Sequence, residues 1–365
     1  MYKIKDIIPL LEEMAPLAYA EDFDNVGLLV GNPETETTGI LVCHDALESV
    51  IDEAIAKNCN LIVCFHPILF SGLKKITGKN YVERAVIKAI QNNIAIYAVH
   101  TALDNHPEGV NKIFGNAIGL INTKILIPKE NHIRKLVTFT VPENVEKVRN
   151  ALFDAGAGTI GNYENCSFTS KGMGTYRGNE NSNPEIGERF EFVEADEIKI
   201  EVTFEKQLES KILKALFENH IYEEVAYEIT TLQNKHQNIG MGLIGELENP
   251  MSEKEFLLFV KEKMQCEAIR HSDFIGKPIK KVALLGGSGS FAISAAINEK
   301  ADVYISADFK YHEFFDAENH IIIADIGHYE SEQFTKELIY DLLTKNFTKF
   351  AVRLSKVNTN PIKYL

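Results

Sequence analysis

Four apolar, strand-like runs in this chain are each followed at once by imidazole or carboxylate. LIVCF runs into His66-Pro67, and IAIYAV into His100-Thr-Ala-Leu-Asp104. ADVYIS is followed by Asp308 and, four residues on, by His312, while HIIIAD is followed by Gly327-His328-Tyr-Glu-Ser-Glu332. In open parallel sheets ligands collect just outside the carboxyl ends of strands, so these groups are candidates for one shared site. Each alone has a plain structural explanation. A strand-end histidine is commonly a satisfied structural residue, and an i,i+4 pair such as His328/Glu332 is commonly a surface ion pair. Asp104 could equally cap the helix beyond it. Together, mixed nitrogen and oxygen donors suit zinc, manganese or iron better than calcium, which prefers oxygen alone. A carboxylate such as Glu332 or Asp104 can bridge two ions, and a two-metal site activates water near neutral pH. Asp308 and His312 are expected behind the donors, orienting them.

Two further segments could hold phosphate. Gly286-Gly287-Ser288-Gly289-Ser290 follows a strand and opens a helix, where backbone N–H groups can cradle an anion. It matches neither the Walker sequence nor GxGxxG, and a tight turn with close helix–sheet packing explains it equally well. Lys74 and Lys75 follow His66 closely and could meet a substrate phosphate, although a solvated lysine pair is the simpler reading.

The elements that must position these groups alternate. A helix is expected over roughly 3–17, with Ile4, Ile7, Ile8, Leu11 and Met14 on one face. Strand GILVCHD, a helix from about Leu47 to Lys57, strand LIVCF, helix YVERAVIKAIQNN, strand IAIYAVH and a helix opened by Pro107 follow. The last third repeats the habit: KKVALLG, the GGSGS turn and a helix, ADVYIS and a helix near Tyr311, then HIIIAD and a long helix from about Glu330 to Thr344, ending in FAVRL. Such alternation argues for an α/β fold with mainly parallel sheets and helices on their faces. The middle differs. Two β-α-β passages flank a Gly/Asn/Ser-rich stretch, GMGTYRGNENSNPEIG, expected to be an exposed loop. This reads as a small ferredoxin-like α+β module inserted into the α/β protein. The division is then 1–130 for a first α/β lobe, 131–237 for the insert and 238–365 for a second lobe.

Bulk properties agree with these expectations. The 365 residues exceed what one core usually serves. Acidic residues outnumber basic ones, 52 to 38, for a formal charge of −14. That charge repels a phosphate backbone over most of the surface, so nucleic-acid binding is disfavoured. Asp6, Glu12 and Glu13 break the first apolar residues into a helical stripe, which suits neither a signal peptide nor a membrane span. Five cysteines with no CxxC pair fit buried thiols in a reducing cytoplasm.

DNVGLLVG (24–31), HPILFSGLKKITG (66–78), HTALDNHPEGVN (100–111), LLGGSGS (284–290) and GHYESE (327–332) resemble the Nif-three-like family, whose bacterial members are often labelled GTP cyclohydrolase I type 2 homologues. The five motifs occur in family order. The insert, including HIYEEVAYEI (220–229), looks like the PII/CutA-like domain of the longer members. The resemblance implies a two-lobed α/β unit with a dinuclear metal site, assembled as a toroid of six subunits. It places the ligands on His66, His100, Asp104, His328 and Glu332. It also implies two divalent ions, zinc first with manganese or iron as alternatives, and metal-dependent hydrolysis of a nucleotide or related small molecule. GTP ring opening with formate release is the family-implied reaction, and a non-catalytic regulatory assembly is the rival. Many members have His-His-Pro where this chain has Phe65-His66-Pro67. A phenyl ring cannot ligate a metal, so one of the two ions is expected to bind more weakly.

Overall fold

The computed structural model describes residues 2–348 and 350–365. They fall into two compact units. One combines the chain up to Pro128 with Asn238–Leu365, and the other is Lys129–Gln237.

The first unit holds two sheets. One has the order β1 (Gly27–Val30), β4 (Ala95–Ala98), β3 (Leu61–His66), β2 (Ile40–Asp45) and β15 (Val352–Leu354). Its neighbours are parallel except for the β1–β4 pair. β2, β3 and β4 are apolar almost throughout because both faces are covered, as a parallel sheet with crossover helices requires. Ile40, Val42, Leu61, Val63 and Phe65 pack on one side against α1 (Ile4–Met14) and α11 (Thr335–Asn346). Leu41, Cys43, Ile62 and Cys64 pack on the other against α2 (Glu48–Ala56) and α3 (Tyr81–Gln91). The alternation places residue 44 on the same face as Phe65.

The second sheet runs β11 (Arg270–His271), β14 (Ile322–Asp325), β13 (Val303–Ala307), β12 (Ile279–Ser288), β10 (Gly240–Met251) and β5 (Leu120–Pro128). Only β12–β13 and β13–β14 are parallel, so this sheet is mixed where a mainly parallel one was expected. α5 (Val110–Ala117) and α8 (Glu253–Lys263) cover one face through Phe114, Phe256 and Val260. α9 (Ile293–Asn298) covers the other. The two sheets also do not follow the division into 1–130 and 238–365. β5 belongs with the later strands, and β15, near the end of the chain, closes the first sheet against β2.

The second unit contains β6 (Ile133–Thr140), α6 (Val145–Asp154), β7 (Ser167–Arg177), β8 (Phe192–Glu205), α7 (Glu209–Asn219) and β9 (Tyr227–Leu232). Its sheet is antiparallel with order β7-β8-β6-β9, the ferredoxin-like arrangement of a β-α-β-β-α-β chain. Leu136, Ile200 and Val202 meet Val148, Leu152, Ile212 and Leu216 of the two helices in one core. The stretch expected to be a loop begins as strand: Gly172–Arg177 completes β7, whose side chains are mostly exposed. Cross-strand pairing to β8 holds it despite its polar, glycine-rich composition.

Several helices are shorter than their periodicity suggests. α1 stops at Met14, short of residue 17, because Pro16 forces Ala15 out of the helical region. The expected helix over 330–344 is two, α10 (His328–Glu332) and α11. The segment near Tyr311 is a 3-10 turn over Tyr311–Ala317, and the helix after Pro107 begins only at Val110.

Candidate metal centre

The carboxyl ends of β2, β3 and β4 meet those of β12 and β14 around one cavity of about 1230 Å³. His66 ends β3, and His100 opens α4 (His100–Asp104) straight after β4. His328 opens α10 two residues after Ile326, where Gly327 turns the chain at φ +93°. A side chain at 327 would overlap the Glu330 carboxylate, so glycine suits this corner on both counts. His66, His100, Asp104, His328 and Glu332 all line the cavity.

Three of the imidazoles are held in the same way. His66 Nδ1 lies 2.8 Å from Asp45 Oδ1, His100 Nδ1 2.8 Å from Asp24 Oδ1, and His328 Nδ1 2.6 Å from Asp308 Oδ2. A carboxylate on Nδ1 holds the proton there and leaves Nε2 free to act as a donor atom. The carboxylates are anchored in turn. Asp24 also accepts from the Thr101 amide at 3.0 Å and from the Thr101 hydroxyl, and Asp45 accepts from the Thr359 hydroxyl. Two of the positions carry backbone strain, His100 at φ +21° and Asp308 at φ +59°.

Glu332 sits at the middle, 4% exposed. Its Oε2 is surrounded by Nε2 of His328 at 3.2 Å, His66 at 3.3 Å and His44 at 3.6 Å. None of these contacts meets hydrogen-bond geometry, so this buried oxygen has no hydrogen-bond partner. Asp104 Oδ1 is likewise buried without one. Burial would raise the Glu332 pKa, but His328 and the other imidazoles hold it well below the usual carboxylate range. Burial and the Glu332 charge push Asp104 well above that range. Burial opposes the charged form of His66, yet Asp45 and Glu332 outweigh it and raise its pKa to about 9. Against the same burial, Glu332 and Asp308 raise His328 to about 11.

Of the other sequence-derived candidates, Gly286 and Ser288 line the cavity as well. The Gly286 amide donates to Asn111 Oδ1 at 2.9 Å and the Gly287 amide to Ser331 Oγ at 2.8 Å, so neither is left for a phosphate. Gly287, at φ +72°, lies against Glu332 and admits no side chain. The turn therefore makes room for the carboxylate, while Ser288 faces the cavity. Lys74 and Lys75 are exposed and outside the lining residues. Asp308 orients His328, but His312 is exposed, with Tyr311 and Phe315 as its ring neighbours. Asp45 and His44 escaped the sequence reading. The only local signal was the His-Asp pair ending GILVCHD.

The fold is a mixed α/β one with donor side chains gathered at its strand ends. The chain belongs to the Duf34/NIF3 (NGG1p interacting factor 3) family, which matches residues 2–361. It is 38% identical over 367 residues to a Bacillus subtilis protein named GTP cyclohydrolase 1 type 2 homolog, covering 99% of this chain and 98% of that one. A Staphylococcus epidermidis protein of the same name is 35% identical over 99% of this chain and all of its own length. Among solved structures, a Bacillus cereus protein related to NIF3 superposes with a TM-score of 0.84 at 34% identity, over 100% of this chain and 99% of that one. A Staphylococcus aureus protein follows at 0.78 and 30%, with the same coverage. No helix among the described residues is long and apolar enough to cross a membrane.

Proposed function

We propose that the strand-end cluster holds two divalent first-row metal ions, zinc first, and that the protein uses them to hydrolyse a small molecule. The observation that carries this is the unpartnered Glu332 Oε2 ringed by imidazole nitrogens at 3.2–3.6 Å. Two donors each about 2.1 Å from one tetrahedral ion lie roughly 3.4 Å apart, so these atoms have the spacing of neighbouring ligands. The ligand atoms of His66, His328 and Glu332 lie within 4.8 Å of one another, as do those of His44, Asp45 and His66, and His100 and Asp104 line the same cavity and would serve the second ion. When bound, such ions supply Lewis acidity and lower the pKa of water. Glu332 would hold the negative charge between them, and Asp24, Asp45 and Asp308 would keep each imidazole aimed inward. Phe23, Phe70 and Phe291 line the mouth and suit a flat ring.

The name carried by the relatives makes GTP the first substrate to try. No Lys or Arg lies among the described lining residues, so a triphosphate would have to rest on the metals or in solvent. That favours a heterocycle with few phosphates. The test loads purified protein with zinc, manganese or iron, and follows formate and phosphate release from GTP, guanosine and related nucleosides. Release that depends on metal and disappears in Glu332→Gln supports the reading. A metal-loaded protein inert toward the panel favours the alternative, a regulatory metal-binding assembly.

The second unit gives that alternative its own support. Its edge strand β7 exposes Phe168 and Met173, with Phe190 and Phe192 exposed beside it, and such an edge invites docking. In this reading the unit is a PII/CutA-like sensor in a cytoplasmic ring of six chains. Mass in solution, with and without residues 129–237, checks the assembly.

A further inference from the structure

His44 is an unassigned imidazole in the centre. It is 3% exposed, and neither ring nitrogen has a hydrogen-bond partner. Burying both polar atoms unpaired is costly, so an unpaired buried imidazole calls for a partner. What faces Nε2 is Glu332 Oε2, at 3.6 Å: too far for a hydrogen bond, and close to the spacing of two ligands on one ion. Its other close neighbours are aromatic: Phe65 stacked at 5.4 Å, His66 edge-on at 4.7 Å and Tyr329 edge-on at 5.2 Å between centroids.

The location is informative. β2 pairs in parallel with β3, with Cys43 beside Cys64 and Asp45 beside His66, so residue 44 stands next to Phe65 on the same sheet face. Phe65 is fully buried and packs between the rings of His44, His66 and His100. An apolar ring thus fills the place directly beside His66, and the neighbouring strand brings an imidazole to the same carboxylate. Resting on the metal-centre reading above, we infer that His44 is a metal ligand through Nε2 and makes good the donor that Phe65 cannot provide. The two ions would then be held with similar strength, contrary to the weak second site that Phe65 alone suggests.

The test compares wild type, His44→Leu, and His44→Leu combined with Phe65→His. Each is loaded with zinc, exhaustively desalted and analysed for metal, then titrated with a chelator. Wild type should retain about two equivalents, His44→Leu about half of that, and the double variant should recover most of the loss. Circular dichroism melts show that each variant is folded; if His44→Leu is not, His44→Gln carries the same expectation. Unchanged metal content and chelator profile in a folded His44 variant would overturn the assignment while leaving the metal centre standing. A wild-type protein that retains no metal would overturn the centre itself, and this inference with it.

Discussion

Gly287 faces the Glu332 carboxylate so closely that a Cβ there would overlap Oε1 and touch His328 Cε1 at 3.4 Å. Its backbone also sits at φ +72°, which a side chain adopts at a cost of about 1 kcal/mol or more. Gly287→Ala should therefore lower the melting temperature and displace Glu332, with loss of bound metal. Zinc content and a thermal melt check this. A variant with wild-type metal content would show that the carboxylate need not stay where it is.

Glu332→Gln and His312→Ala should separate cleanly. Glu332 is ringed by three imidazoles, whereas His312 is exposed on the turn after Lys310. The glutamine variant should lose most of its metal, and the alanine variant should match wild type in both metal content and melting. Equal losses would place His312 close to the ions.

Asp308→Ala should weaken metal binding without removing a ligand. The aspartate holds His328 Nδ1 at 2.6 Å, and removing such an orienting carboxylate typically costs about 10–100-fold in affinity. Competition against a chromophoric chelator measures it. An unchanged affinity would mean that Glu332 alone holds the ring in place.

Metal uptake should release protons at neutral pH. In the metal-free protein His66 titrates near 9 and His328 near 11, both above the ordinary 6.5, so both are charged at pH 7. Ligation needs the neutral ring, so affinity should climb as pH rises from 7 toward 9. The sign for the metal-free fold is opposite. Its gain from these two charges is complete below about pH 6.5 and is lost as pH rises through 9 and then 11. Calorimetry in buffers of different ionisation heat counts the protons, and a count near zero would contradict the charged metal-free state.

Residues 129–237 should be removable. Pro128 and Gly240 are cross-strand partners in β5 and β10, so a short Gly/Ser turn can join the strands as a hairpin. The shortened chain should stay soluble and load metal like wild type. Insoluble material across several bridge lengths would mean that the first unit needs the second to fold.

The sequence by itself determined which residue types stand at strand ends. An apolar run that stops at His66 or His100, or at Asp325 just before His328, is a local pattern, and in a parallel sheet it marks the end where ligands collect. Helix ends were less legible, since Pro16 and the break between α10 and α11 act over a residue or two. Strand direction was not legible in the second sheet. Whether β10 runs against β12 depends on where the chain returns, and no local composition records that. His44 was hidden for a related reason. Inside GILVCHD it is one polar residue in a buried strand. Only the pairing of β2 with β3 and the packing of α10 over the strand ends bring its nitrogen to Glu332. Donor types were written in the chain; which donors share one carboxylate was decided by the register of two strands and the seat of one short helix, because a ligand set is a matter of ångströms between segments far apart in sequence.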